Sequence, residues 1–259
     1  MLQVYLYLCF IAIICIGGYK IKSLSVSGTV MAFFVGCCIA IGFKWQGLII
    51  LGLFFASSSL WSKFKKKQKE KLGDILEKGE QRDWVQVFAN GSIASVASLL
   101  FYFTNDDVWM LAFCVAIAAA NSDTWASEIG VLSKGNPIYL LSLQRIEKGT
   151  SGAVSLLGLV ASVAGATFIA ISSLVLFSIP LVSSMILIIS FGFLGSIVDT
   201  MLGATLQARY TCCTCGIVTE KRHHCGARTK LTKGVEWCSN DVVNWLSIFI
   251  VTFLVVILT

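Results

Sequence analysis

Charge is scarce in this 259-residue chain. Only 13% of its residues are Asp, Glu, Lys or Arg, about half the share found in an ordinary soluble domain. Proline is nearly missing, with 2 in the whole chain. A chain so poor in both charge and proline is not a disordered one, and the charge deficit excludes most soluble folds. Apolar residues fill the gap: 56% are hydrophobic and the mean hydropathy is +0.82. That balance points to a polytopic membrane protein with one compact domain over residues 1–259. The first apolar run also lacks the basic region of a signal peptide. Its Gly17-Gly18-Tyr19-Lys20 end is a poor cleavage site, so it reads as a span.

At about 20 residues per span, apolar runs near 2–18, 27–43, 46–62, 84–103, 107–133, 150–177, 180–207 and 241–258 predict an all-α bundle of about eight transmembrane helices. The second and third runs are short, and one re-entrant hairpin is the alternative there. The net charge of +6 is placed unevenly. Lys20 and Lys22, eight residues from Lys63 to Arg82, Lys134, Arg145 and Lys148, and six residues from Arg209 to Lys233 fall in loops after helices 1, 3, 5 and 7. Only Lys44, with Asp106 and Asp107, lies on the other side. The positive-inside rule then puts those four loops in the cytosol and both termini outside. The basic excess is thereby a topology signal, with no nucleic-acid partner implied. The basic loop at 63–83 either is solvated retention charge or touches anionic headgroups through Lys63-Phe64-Lys65-Lys66-Lys67-Gln68-Lys69.

Acids beside a span are costly unless paired or metal-bound, and they mark function by default. Five are predicted at cytosolic helix ends: Asp83, Asp123, Glu128, Asp199 and Asp241. On helix 5, Asn121, Thr124 and Glu128 share one face, with Asp123 and Ser127 on the adjoining one. Such a set suits a hard cation such as Mg²⁺; a capped, water-exposed helix end is the plain alternative. Lys148-Gly149-Thr150-Ser151-Gly152 at the predicted start of helix 6, with Arg145 nearby, suits an anion. It lacks the Walker spacing, and a simple cap would look similar. Helix 7 carries a polar stripe of Ser196, Asp199, Thr200, Gly203 and Gln207. Helix 4 carries Asp83, Gln86 and Asn90; helix 8 opens with Asn240 and Asp241, followed by Asn244. Interhelical hydrogen bonding explains the amides equally well. Asp83-Trp-Val-Gln86 echoes Asp241-Val-Val-Asn244, and Gly28-Thr29 echoes Gly149-Thr150, as two related parallel halves would.

Ten cysteines divide between the spans and the segment 208–239. Cys9, Cys15, Cys37, Cys38 and Cys114 pack as small apolar residues. In the loop, Cys212, Cys215, His224 and Cys225 form a candidate structural zinc set, with Cys213, His223 and Cys238 as substitutes. The other reading is a basic loop with free thiols.

Four strings taken together resemble the domain-of-unknown-function 92 family: Asn121-Ser-Asp-Thr-Trp-Ala-Ser-Glu-Ile-Gly130, Lys148-Gly-Thr-Ser-Gly-Ala153, Gly195-Ser-x-x-Asp-Thr-x-x-Gly-Ala204 and Asn240-Asp-x-x-Asn244. That family includes transmembrane protein 19 and the plant and cyanobacterial phytyl-phosphate kinases, and the likeness runs from about Gly28 to Asn244. The resemblance implies a membrane kinase that moves a phosphoryl group from a nucleoside triphosphate to an isoprenoid monophosphate. Asp123, Glu128 and Asp199 would hold Mg²⁺. Lys148, Arg145 and Gly149–Gly152 would bind phosphate, with Asn121, Asn90, Asn240, Asp241 and Asn244 as further contacts. Two rivals remain: a transporter of a small polar or anionic solute, and a scaffold with a zinc-bearing loop.

Overall fold

The computed structural model describes residues 2–65, 81–177 and 181–259. Most of the basic loop at 63–83, including Lys66, Lys67, Gln68 and Lys69, lies outside the described residues. Seven helical segments are long and apolar enough to cross a membrane. The helices are α1 (Leu2–Lys20), a 38-residue segment Val26–Lys63, α4 (Trp84–Thr104), α5 (Asp107–Gly130), α6 (Leu156–Phe177), α7 (Leu181–Thr205) and α8 (Asn240–Leu258).

The long segment is folded at Lys44, whose φ of 50° and ψ of −133° leave the helical region. The two arms, α2 (26–43) and α3 (45–63), run back along each other. A Cβ on Gly47 would sit 2.7 Å from the Ile39 side chain, although residues eight apart in a straight helix are separated by about 12 Å. Both outer ends meet Arg82: its carbonyl accepts from Ser25 N at 3.0 Å, and its Nη1 donates to Ser59 Oγ at 2.9 Å. Each arm is about 27 Å long, close to the apolar thickness of a bilayer. The described residues therefore form eight helices.

Helix α5 is the axis of the bundle. Its eleven residues from Ala112 to Ser122 are all buried, and it packs against α2, α4, α6, α7 and α8. Alanine allows this. Five of the six residues Ala116, Ala118, Ala119, Ala120 and Ala112 with Ile117 are small, so neighbouring backbones come close without polar glue. On α7, a Cβ at Gly195 would lie 2.6 Å from Ala119 Cβ, and one at Gly192 would lie 2.9 Å from Ala118 Cβ. Helix α1 packs on α2 at the margin and leaves most of its apolar surface facing outward, as lipid contact requires.

Two predicted boundaries move. Helix α5 ends at Gly130 instead of running to 133. Helix α6 begins at Leu156, not at 150. Residues 138–154 form a small hairpin instead, in which β1 (Ile138–Tyr139) pairs with β2 (Ala153–Val154). Glycine is the cause: Gly149 and Gly152 hold φ near +80°, which a helix cannot contain. The membrane body is all-helical, but the Cys-rich segment also holds strands. A sheet ordered β4 (Val218–Thr219), β3 (Arg209–Thr211), β7 (Lys230–Lys233) stands beside a hairpin of β5 (His223–His224) and β6 (Ala227–Arg228). The proposed echo between halves is uneven at this level. Gly28-Thr29 lies inside a helix, whereas Gly149-Thr150 lies in a turn. Asp83 is an N-cap, whereas Asp241 is the second residue of its helix.

Candidate functional site

The described parts of the loops after α1, α3, α5 and α7 gather at one end of the bundle, where a cavity of about 540 Å³ opens. Lys44, Asp106, Asp107 and both chain ends belong to the opposite end. The cavity is lined by side chains from α3, α4, α5, α6, α7 and α8, by the β1–β2 turn and by the Cys-rich segment.

Asp123, Ser127 and Glu128 reach the cavity from the last turns of α5. Glu128 accepts a hydrogen bond from Ser62 Oγ of α3 at 2.6 Å. Helix α7 presents Ser196, Asp199, Thr200 and Gly203 to the cavity; the helix ends at Thr205 instead of running to 207, so Gln207 lines the cavity from just beyond it. Ser196 Oγ lies 3.5 Å from Asp123 Oδ1, which joins α7 to α5 at the acidic centre. Asp199 is met from α8 by Ser247 Oγ at 3.4 Å and by the Asn244 amide nitrogen at 2.8 Å. Asn240 and Asp241 line the cavity at the start of α8, and Gln86 lines it from α4.

Lys148, Gly149, Thr150 and Gly152 also line the cavity. They do not form a helix N-terminus, so the expected dipole of helix 6 at this string is corrected. The helix start lies a few residues on, where Ser155 Oγ accepts from Gly158 N at 3.1 Å. The turn is held against α7 instead. A Cβ on Gly152 would fall 2.5 Å from Ala204 Cα, so only glycine fits there. Lys148 Nζ donates to the Ser133 carbonyl.

Four expected contacts are elsewhere. Asn121 is fully buried in the bundle: its Oδ1 accepts from Ser57 at 3.1 Å and its Nδ2 donates to Gly165 O at 2.8 Å. It ties α5 to α3 and α6, and its burial among apolar neighbours sets that role. Asn90 donates to Gln86 O of its own helix at 2.9 Å. Arg145 is exposed on the β1 side, bridging Ile138. Asn244 does not line the cavity and acts on it through Asp199.

Two residues were missed. Arg82, counted above only as a loop charge, is half-buried between Ser59 and the Phe55 ring, 5.6 Å from its centroid. Burial lowers its guanidinium below the ordinary arginine pKa, and the charge of Glu128 acts in the opposite sense. Glu220 enters the cavity from the Cys-rich segment, accepting from Ser151 Oγ at 2.6 Å and from Gln207 Nε2 at 2.8 Å. Nothing local marked it, since only the fold carries it across to α7.

In the Cys-rich segment the ligand atoms of Cys212, Cys215, His224 and Cys225 all lie within 4.8 Å of one another. His224 Nδ1 stands 3.4 Å from Cys215 Sγ and 3.2 Å from Cys225 Sγ. The backbone N–H groups of Cys215 and Thr214 bring the Cys212 thiol down to about 6, and its interaction with Cys215 raises the Cys225 thiol to about 11. Cys213, His223 and Cys238 are outside this group. Cys213 is exposed, and Cys238 is buried at the base of the segment, where its carbonyl accepts from Ala208 N at 2.8 Å.

Comparison with known proteins gives a family match over residues 9–252 to "Integral membrane protein DUF92". Protein PGR of Arabidopsis thaliana is 31% identical, over 94% of this chain and 91% of its own length. An uncharacterized membrane protein of Methanocaldococcus jannaschii, MJ0933, is 29% identical over 75% of this chain and 76% of its own. Protein VTE6, chloroplastic, also from Arabidopsis thaliana, is 24% identical over 88% of this chain and 63% of its own. No solved structure matches.

Proposed function

Given that the chain belongs to the DUF92 family of integral membrane proteins, we propose that it is a prenyl-phosphate kinase working at the cytosolic membrane face. The observation that carries this reading is the cavity itself: Asp123, Glu128, Asp199 and Asp241 line one space together with Lys148 and the Gly149–Gly152 turn at the loop end of the bundle. The motif resemblance to the family's phytyl-phosphate kinases supports an isoprenoid monophosphate as acceptor. Such a molecule has an apolar tail suited to the bilayer and an anionic head suited to this end.

The donor set is all oxygen, from carboxylates with the hydroxyls of Ser127, Ser196 and Thr200, which fits Mg²⁺ in preference to a softer metal. Asp123, Glu128 and Asp199 would hold it. When bound, Mg²⁺ supplies charge neutralisation for the phosphates. The chain's own groups do the positioning. Lys148 places one positive charge on the phosphates, and the β1–β2 turn brings backbone close to them. Ser247 and Asn244 orient Asp199. An acceptor phosphate oxygen attacks the γ-phosphorus, the bond to the β–γ bridging oxygen breaks, and the nucleoside diphosphate leaves. The acceptor is already ionised, so no general base is needed. The position of the cavity also argues against a transporter, which would want its site near mid-bilayer.

Radiolabelled transfer from a panel of nucleoside triphosphates to short- and long-chain prenyl phosphates tests the reading. Asp123→Asn and Asp199→Asn should each abolish transfer while the protein stays folded. Full activity in both variants would overturn it.

A further inference from the structure

The Cys-rich segment between α7 and α8 has no large apolar core of its own. Its strands are two to four residues long, too short to be stable alone. Something else has to hold it. The ligand atoms of Cys212, Cys215, His224 and Cys225 are clustered within 4.8 Å, and neighbouring ligands of a tetrahedral zinc ion stand about 3.5–3.8 Å apart. The separations of 3.4 and 3.2 Å around His224 Nδ1 are close to that scale.

The local backbone is shaped for it. Gly216 N donates to Cys212 O at 3.0 Å and Thr214 N to Cys212 Sγ at 3.4 Å, closing a tight turn around the first cysteine pair. The second pair is adjacent in sequence, which would ordinarily send the two side chains apart. Cys225 and Gly226 take φ of 51° and 73° as the two turn residues between β5 and β6. This twisted two-residue hairpin turn lets His224 and Cys225 face one point.

From there the segment leads directly to the cavity. The chain runs from Cys215 into β4, which pairs with β3, and Glu220 follows β4. Glu220 then accepts from Ser151 Oγ, while Arg209 of β3 donates to the Ser151 carbonyl. Tyr139 beside that turn donates to Ala204 O at 2.9 Å, with Arg209 and Lys233 over its ring. We propose that Cys212, Cys215, His224 and Cys225 bind one structural Zn²⁺, which holds the Cys-rich segment against the Lys148–Gly152 turn and so keeps Glu220 in the cavity. The four ligands lie outside the cavity, so this binding stands apart from the phosphoryl-transfer reading.

The test uses the full chain, purified without a metal column. Elemental analysis should find about one zinc per chain. Exchange for cobalt(II) should add visible d–d and thiolate-to-cobalt bands. Cys212→Ser should lose the metal, and Cys213→Ser, one residue away, should keep it. Hydrogen exchange is then compared on the wild-type protein before and after chelation. Amides of residues 149–153 should exchange about tenfold faster or more once zinc is removed, with the transmembrane helices unchanged. Absence of zinc together with absence of cobalt bands in the wild-type protein overturns the site. Bound zinc with unaltered exchange at 149–153 overturns its link to the cavity.

Discussion

A polar side chain in a membrane bundle gains its meaning from what it faces, and two residues of α5 two positions apart show this. Asp123 faces the cavity, whereas Asn121 faces α3 and α6 and spends its hydrogen bonds there. Asn121→Ala should lower stability by about 1–2 kcal/mol, because it removes the buried hydrogen bonds that tie α5 to Ser57 and to the Gly165 carbonyl. It should leave the transfer reaction close to wild type per folded molecule. Thermal or denaturant unfolding in detergent, read beside activity, checks this; loss of activity with unchanged stability would move Asn121 into the site. Lys148 and Arg145 separate in the same way. Lys148→Ala should raise the apparent KM about tenfold to a hundredfold by removing one charge-assisted contact, whereas Arg145→Ala should change it little, since Arg145 is exposed and outside the cavity. Equal effects in the two variants would show that the turn binds phosphate through diffuse charge.

At the scale of elements, the close fit that positions the acids is between α5 and α7. Gly195 and Gly192 let α7 lie on the alanine face of α5, and this contact sets the depth at which Ser196 meets Asp123. Gly195→Ala would put a methyl 2.6 Å from Ala119 Cβ. We expect a loss of about 1–3 kcal/mol from overpacking, together with weakened activity, since α7 must shift outward by a few tenths of an ångström or more. Gly52→Ala serves as control, because nothing lies within 4 Å of a Cβ there. Comparable destabilisation of both variants would rule out the Ala119 contact as the cause, since the unfolded-chain effect of Gly→Ala is stabilising. The α2–α3 fold at Lys44 belongs to the same scale. Two arms of marginal length read equally well as spans or as a re-entrant pair, and the outcome depends on backbone geometry at one residue.

For the whole molecule, the alternation of charge and the arrangement of helix ends agree. The described parts of the basic loops lie at the cavity end, with Lys44, Asp106 and Asp107 at the other. If the positive-inside rule sets orientation, single-cysteine variants at Glu147 and Asn105 should react with a membrane-impermeant thiol reagent from opposite sides. Glu147→Cys should label from the cytosol and Asn105→Cys from outside, both residues being exposed. Labelling from one side would contradict the eight-helix path, and the reversed pattern would put the cavity outside the cytosol.

Apolar run length, charge alternation and polar stripes are one-dimensional signals, and they were sufficient for the helical class, the number of helices and the end at which the acids lie. The inward face of α7 was legible for the same reason, because helical periodicity alone gathers Ser196, Asp199, Thr200 and Gly203, whereas Gln207 lies past the helix end. The Cys212, Cys215, His224 and Cys225 set was legible from spacing, although the turn that reconciles the adjacent His224 and Cys225 was not. Other outcomes depended on contacts distant in sequence. Asn121 and Asp123 carry similar polar signals, and only the packing of α3 and α6 against α5 separates them. Gly149 and Gly152 read as a helix start, but the approach of Ala204 requires a turn. Glu220 reaches the cavity because β3 and β4 carry it back to Ser151, 69 residues away along the chain, a distance that no local pattern spans.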